Sequence, residues 1–291
     1  MKRVVLATGI YPPEIGGAAS AVQDAARGLR AKGIAVQIIA YGGAETTVVE
    51  EDDVRVTRVS RQGSVFHRYI RYARAVRAAI DTNTVLGITD ISSAGIPTWV
   101  ACLGVDCVRA YRLGGERSWE QAMYHQRVWC SLRTYWQERR GGVRQFLARC
   151  QYNIILRDAT HIAVVSDLLK ECLLQISPNW HDRMQVVPTR VQPVLPLRDA
   201  DKKAHTPFRF VYIGRFTAVK NLPFLIDVLR RLVEQGSVFE MTFIGEGEGE
   251  DVIRTATKQF SQVRIRPAIS REEVAEVLAD ADLLLLPSMT D

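Results

Sequence analysis

The chain has 291 residues, 47% hydrophobic and 24% charged, the balance of an ordinary soluble globular protein long enough for two domains. No apolar run approaches the roughly 18 to 20 residues of a membrane span, which excludes an integral membrane protein. The net charge of +6 favours anionic partners. Arginine is concentrated: from Arg109 to Arg157 there are ten, against the acids Glu116, Glu120 and Glu138, a local excess larger than that of the whole chain.

The opening "MKRVVLATG" is too short in its apolar part for a signal segment and reads as a first strand of a cytoplasmic protein. After the loop "IYPPEIGGAA", a helix is expected from Ser20 to Lys32, with Ser20 and Gln23 as a capping box and Gly33 at the left-handed exit. "IAVQIIA" is a second strand. Phe66, Tyr69, Ile70, Ala73, Val76 and Ile80 recur at helical spacing. "TVLGIT", "CVRAYRL" and "HIAVVS" read as further strands between helices. Such alternation implies a parallel sheet covered on both faces.

Periodicity lapses between Pro188 and Pro207, so the chain divides into a domain of residues 1–191, a linker of 192–206 and a second domain of 207–291. The second restarts the alternation with "FRFVYIG", a helix opened by Pro223 and closed by Gly236, "VFEMTFIG", the strand "VRIR", the capping box Ser270 to Glu273, and "DLLLLP". Leu283 to Leu286 read as a buried strand. The fold class is α/β, two doubly wound parallel sheets of Rossmann-like type.

Ligands of such sheets bind beyond the carboxyl ends of the strands, so three loops are candidates. "GRFTAVKN" sets Gly214, Arg215, Lys220 and Asn221 beside a helix N-terminus, either as a diphosphate site or as a solvated basic turn. Gly16 and Gly17 either expose N–H groups to a phosphate or shape a turn. "GEGEGED" carries too many acids for pyrophosphate; Glu246 suits sugar or ribose hydroxyls, or the run merely opens a helix. Arg112, Glu116 and Arg117 either handle an acceptor or pair on the surface. Ser166 and Ser288 read as helix caps. Trp129, Tyr135, Trp136, Arg139, Arg140 and Arg144 form either a surface for anionic lipid or nucleic acid, or a helix with buried aromatics.

Five cysteines without a C-x-x-C pair and five scattered histidines predict neither a disulfide framework nor a metal site. Without a recognised binding module, nucleic acid is not an expected partner.

In order and spacing, "PPEIGG", "GRFTAVKN", "IGEGEGE" and "ADADLLLLPSMTD" resemble the GT-B glycosyltransferases of family 4, from Met1 to Asp291 and more specifically in the second domain. The resemblance implies a nucleotide-sugar donor held by the C-terminal domain and a glycan or lipid-linked acceptor on the N-terminal side. It further implies retaining, metal-independent hexose transfer with no cofactor, in polysaccharide or glycolipid biosynthesis, at the inner face of the membrane. Arg215 and Lys220 would stabilise the departing diphosphate. Gly16, Gly17, Gly214, Asn221, Glu246, Ser288 and Asp291 would complete the donor site, with Arg112 and Glu116 on the acceptor side. Gly114 stands where many members carry a histidine, and "PTRVQP" replaces the usual "PNGVD". Asp291 matches the first of two donor-binding acids; the second domain therefore reads as incomplete, and the 291 residues as impaired in transfer. A non-catalytic, glycosyltransferase-like binding subunit is the alternative.

Overall fold

The computed structural model describes residues 3–14, 16–125, 127–189 and 204–289. By its internal packing the chain forms two units, one of Met1–Ser118 and Gly141–Thr189, the other of Trp119–Arg140 and Arg190–Asp291. Residues 119–140, which the sequence reading leaves in the first domain, group with the second. Most of the expected linker lies outside the described residues.

The first unit is built from β1 (Arg3–Ala7), α1 (Gly17–Ala31), β2 (Val36–Gly42), β3 (Thr47–Glu51), β4 (Val54–Ser60), α2 (Val65–Ala79), β5 (Thr84–Ile88), α3 (Ile96–Ala101) and β6 (Val108–Leu113). After α4 (Arg117–Tyr124) and α5 (Leu132–Gln137) it continues with α6 (Gly142–Leu156), β7 (His161–Val164), α7 (Asp167–Leu174) and β8 (Met184–Val186). Its sheet has the order β3-β4-β2-β1-β5-β6-β7-β8, parallel except where β3 meets β4. Alternate residues of the central strands face opposite layers, as a pleated strand requires. Leu6, Ile38 and Ala40 pack with Val22 and Ala26 of α1, while Val5, Ala7, Ile39 and Tyr41 pack with Tyr72 and Val76 of α2.

Two details depart from the sequence reading. Ser20 is not the cap of α1: the helix begins at Gly17 with Gly16 as its cap and no side-chain capping bond, because Ser20 already lies inside the first turn. Helix and strand also do not alternate strictly. Asp52 and Asp53 both adopt left-handed φ (51° and 59°), closing a two-residue hairpin that adds the exposed β3 to the edge of the sheet.

In the second unit, β9 (Phe208–Ile213), α8 (Leu222–Glu234), β10 (Phe239–Ile244), α9 (Glu250–Thr257), β11 (Val263–Arg266), α10 (Arg271–Asp280) and β12 (Leu283–Leu284) follow one another. The parallel sheet has the order β11-β10-β9-β12. Tyr212, Met241 and Phe243 pack under Leu222, Leu225, Leu229 and Ile253 of α8 and α9. Val211 and Ile244 face the other side, toward Val277 and Leu278 of α10. Ser270 and Glu273 form the expected capping box of α10.

The expected buried strand at Leu283–Leu286 is corrected. Only Leu283 and Leu284 pair, β12 lies at the sheet edge, and Leu283, Leu284 and Leu286 are exposed. An edge strand has a neighbour on one side alone, so an apolar run there is not enclosed as it would be at the centre of the sheet.

Candidate functional site

In each sheet the strand order reverses beside one strand, and the loops leaving that strand and its later-formed neighbour run to opposite faces, opening a crevice. In the second unit this happens between β9 and β12. The loop after β9 is Gly214–Asn221, the one singled out by its charges.

Its conformation is set by packing. Phe216 is fully buried between Tyr212 and neighbouring core rings. Its N–H donates to the Glu246 carbonyl (2.9 Å) and its carbonyl accepts from the Gly249 N–H (2.9 Å), which ties the basic loop to the glycine-rich loop after β10. The Tyr212 hydroxyl donates to the Arg215 carbonyl at 2.9 Å. Asn221 takes the left-handed conformation (φ 52°), starting α8 without a side-chain capping bond. Opposite, the Met289 N–H donates to the Val219 carbonyl (3.0 Å), bringing the segment with Ser288 against the same loop. Gly214, Arg215, Lys220, Asn221, Glu246 and Ser288 thus gather at one end of one sheet. Asp291 lies outside the described residues.

Two cations stand at the N-terminus of α8, where unsatisfied N–H groups and the helix dipole favour an anion. Arg215 is exposed and Lys220 half-buried. Burial is the main cause that lowers the Lys220 pKa from its ordinary 10.5; the Arg215 charge lowers it further, and Glu120 opposes both. Neither cation forms an ion pair among the described residues. The Thr217 hydroxyl oxygen, in the same loop, is shielded from solvent with no hydrogen-bond partner among the described residues. Arg215 and Lys220 thus stand in one loop at the start of α8, with Glu120 the acid whose charge acts on Lys220.

The run "GEGEGED" divides by role. Gly245 and Gly247 serve packing, since a Cβ there would stand 2.0 Å from the Gly214 carbonyl oxygen and 2.6 Å from that of Phe216. Glu250 and Asp251 occupy the first turn of α9, the helix-opening role foreseen for them, and Glu250 pairs with Arg254 at 2.7 Å. Glu246 remains exposed at the rim.

In the first unit the reversal falls between β1 and β5. Gly16 and Gly17 open α1, whose first turn contains no acid. The loop before them is held by Arg61, which donates to the Gly9 carbonyl (3.1 Å) and pairs with Glu14 (2.8 Å). Beside it, after β5, lies a cluster that sequence reasoning missed. Asp90 accepts the Ser92 N–H (2.8 Å) and both the Ser92 and Ser93 hydroxyls, and Arg117 donates to Ser92 Oγ at 2.7 Å. Burial works against charge on Asp90, but these hydrogen bonds more than offset it and hold the carboxyl below its ordinary pKa. The pattern D-x-S-S at residues 90–93 is the signal the sequence offers for it.

The acceptor-side pair separates in character. Arg112 is half-buried, with burial lowering its pKa, and donates to Thr189 Oγ1 at 2.7 Å. Glu116 is neither a surface pair nor open to a ligand. It is 1% exposed, accepts the Ser118 N–H (3.2 Å) and hydroxyl, and receives the Tyr152 hydroxyl at 3.4 Å. Ser166 caps α7 as expected, accepting the Leu169 N–H. The aromatic stretch has Tyr135 and Trp136 in the core, with Trp129 exposed. The described residues contain no group of three or more His, Cys, Asp or Glu suited to a metal, and no helix long and apolar enough to cross a membrane.

Two α/β units with crevices at the strand-order reversals, one of them lined by a basic loop, define the class: the chain has the GT-B fold. It aligns over 98% of its length with WaaG, a glycosyltransferase of lipopolysaccharide biosynthesis (75% of that chain, TM-score 0.64, 14% identity). It aligns equally with Anabaena Alr3699/HepE, solved with UDP and glucose (98% of this chain, 73% of that one, TM-score 0.63, 14% identity). More particularly, residues 196–291 match the family model of glycosyl transferases group 1. The amylovoran biosynthesis glycosyltransferase AmsK of Erwinia amylovora is 33% identical over 136 residues, 41% of this chain. The chain spans about a third of that relative's length, since the match covers 33% of it.

Proposed function

We propose that the chain is a hexosyltransferase that takes its sugar from a nucleotide-sugar donor, with the diphosphate bound at Gly214–Asn221. The observation that carries this reading is the placing of Arg215 and Lys220 in the loop between β9 and α8, at the strand-order reversal, where neither forms an ion pair among the described residues. Two like charges held this way, one of them partly desolvated, are costly until an anion arrives. A nucleoside diphosphate brings that anion, and its charge grows as the glycosidic bond to the donor sugar breaks. Arg215 and Lys220 would then be worth more in the transition state than in the ground state, which is catalysis by preorganised charge and needs no metal. The α8 N-terminus adds to the same effect. Glu246 and Ser288 stand at the rim in positions suited to donor hydroxyls.

Retention of anomeric configuration, an acceptor that is a glycan or lipid-linked sugar, and a cytoplasmic setting at the inner membrane face complete the reading. The relative AmsK, a glycosyltransferase of amylovoran biosynthesis, supports the polysaccharide context. Gly16 and Gly17 open α1 of the first unit, where backbone N–H groups would suit a phosphate.

Calorimetric titration with UDP, GDP and ADP tests the proposal. At least one should bind, and Arg215→Ala should weaken it about tenfold or more, the loss of one charge-assisted hydrogen bond. Absence of binding by all three, or equal binding by the variant, would refute the diphosphate site.

A further inference from the structure

The crevice at the β1–β5 reversal is walled by polar groups from distant parts of the first unit. The Tyr41 hydroxyl, near the end of β2, donates to the Ser93 carbonyl (3.3 Å), and the Tyr69 hydroxyl of α2 donates to the Ser92 carbonyl (3.4 Å). Arg117, at the start of α4, donates to Ser92 Oγ (2.7 Å). Gly9, at the exit of β1, is pressed against the same cluster, for a Cβ there would overlap Asp90 Oδ2 and Ser93 Oγ. These contacts fix Ser92 and Ser93 at the carboxyl end of the sheet, where ligands of doubly wound folds bind.

The charges around this cluster do not balance. Glu14 is paired with Arg61 at 2.8 Å, and both Asp90 oxygens accept from the two serines. Arg71 is taken up by the Ser60 and Gln62 carbonyls. Two guanidinium groups are left over. Arg117 meets a neutral hydroxyl and forms no ion pair among the described residues. The Arg68 side chain has neither a hydrogen bond nor an ion pair among them, although it is half-buried and its Nε is shielded from solvent. Arg68 lies one helical turn before Tyr72, whose ring packs against that of Tyr41 with centroids 4.5 Å apart and whose hydroxyl donates to the Thr8 carbonyl. The face of α2 that carries Arg68 is therefore the one turned toward the exits of β1 and β2. Leaving such a cation unpaired is costly, and an oxyanion that meets it removes the cost.

We infer that the acceptor of this transferase carries an oxyanion, a carboxylate or a phosphate, and that Arg68 and Arg117 bind it in the first-unit crevice beside Ser92 and Ser93. A guanidinium presents a planar fork of N–H groups that matches either anion. Asp90 acts as a positioning residue: it holds Ser92, whose hydroxyl anchors Arg117. A neutral acceptor would leave both cations unmatched, so the crevice selects against it. That the anion belongs to an acceptor rests on the glycosyltransferase reading above; the two cations and their lack of acid partners do not.

The test is saturation-transfer NMR of the full chain with glucose, glucuronate and glucose 6-phosphate, each titrated to a dissociation constant. At least one of the two anions should bind, about tenfold or more tighter than glucose, and the advantage should shrink at high salt. Binding of glucuronate alone assigns the anion to an acidic sugar, binding of glucose 6-phosphate alone to a phosphorylated one, and binding of both to the charge they share. Arg68→Gln should lose the advantage. Its side chain has no partner to forfeit, so the thermal transition should be unchanged; Arg117→Gln, at an exposed residue, is a second variant expected to act in the same direction. Absence of binding by both anions, equal binding of glucose, or undiminished binding in the two variants overturns the inference. So does loss of the binding in Arg215→Ala, which would put the anion on the basic loop of the second unit. Titration of Arg68→Gln with UDP, GDP and ADP separates the two proposals: intact nucleotide binding with lost sugar-anion binding supports both sites. A wild-type chain that binds the sugar anions but no nucleotide supports the first-unit site and refutes the diphosphate site.

Discussion

Gly247 lies so close to Phe216 that a Cβ on the glycine would stand 2.6 Å from the phenylalanine carbonyl oxygen and 3.0 Å from its N and C atoms. The glycine-rich loop and the basic loop are therefore keyed together through backbone, with the Phe216 ring as the plug beneath them. Gly247 also has φ of 148°, which a side chain rarely adopts. Gly247→Ala should destabilise the second unit by about 2 kcal/mol or more, because clash and backbone strain add. Hydrogen exchange of the β9 and β10 amides is the appropriate measurement; unchanged protection would show that the loops are not coupled in this way.

The depressed Lys220 pKa gives a pH signature. Diphosphate binding requires the charged amine, and a lysine whose pKa lies below 10.5 starts to lose its proton earlier than an ordinary one. Affinity for the nucleoside diphosphate identified by calorimetry should fall as pH rises toward that lowered value. Lys220→Ala should bind about tenfold or more weaker and lose this limb of the profile, whereas Lys220→Arg should move it out of range. An unaltered profile in Lys220→Ala would assign the limb to another group.

Tyr72 is fully buried, and its hydroxyl donates to the Thr8 carbonyl (2.9 Å) and the Ile39 carbonyl (2.8 Å), joining β1, β2 and α2. Burial raises its pKa well above 10.0. A raised folded-state pKa means stability that is present below the unfolded value and lost as pH rises above about 10. Tyr72→Phe should cost about 1 to 3 kcal/mol at neutral pH, through one or two buried carbonyls left with fewer donors. It should also soften the alkaline loss of stability. Chemical denaturation at neutral and alkaline pH measures both effects.

Asp90 has the opposite sign. Its folded pKa is held below 3.8, so its stabilisation is present above that value and lost as pH falls through the lower folded value. Asp90→Ala should cost about 1 to 3 kcal/mol at neutral pH by leaving the Ser92 and Ser93 donors unsatisfied, and should flatten the acid limb of the stability profile. An acid limb identical to that of the wild-type chain would show that other carboxylates dominate it.

Much of this protein is legible in one dimension. Period-two and period-3.6 apolar patterns mark β1, β2, β9, β10, α2 and α8, and Pro223, Gly236 and the Ser270–Glu273 box mark helix ends, because these signals depend on neighbours a few residues apart. The basic loop after β9 was visible for the same reason, as charge next to a strand end and a helix start. What lay beyond the sequence depends on partners far along the chain. The buried setting of Glu116 includes Tyr152 from α6, the purpose of Gly245 and Gly247 follows from the backbone of residues 214 and 216, and the exposure of Leu283 and Leu284 from an edge place in the strand order. Composition and spacing determined which residues can carry charge and where helices and strands begin. Only the tertiary structure decided which of those charges are enclosed, which converge, and which apolar side chains are left facing water, since burial and proximity are properties of contacts made across the fold.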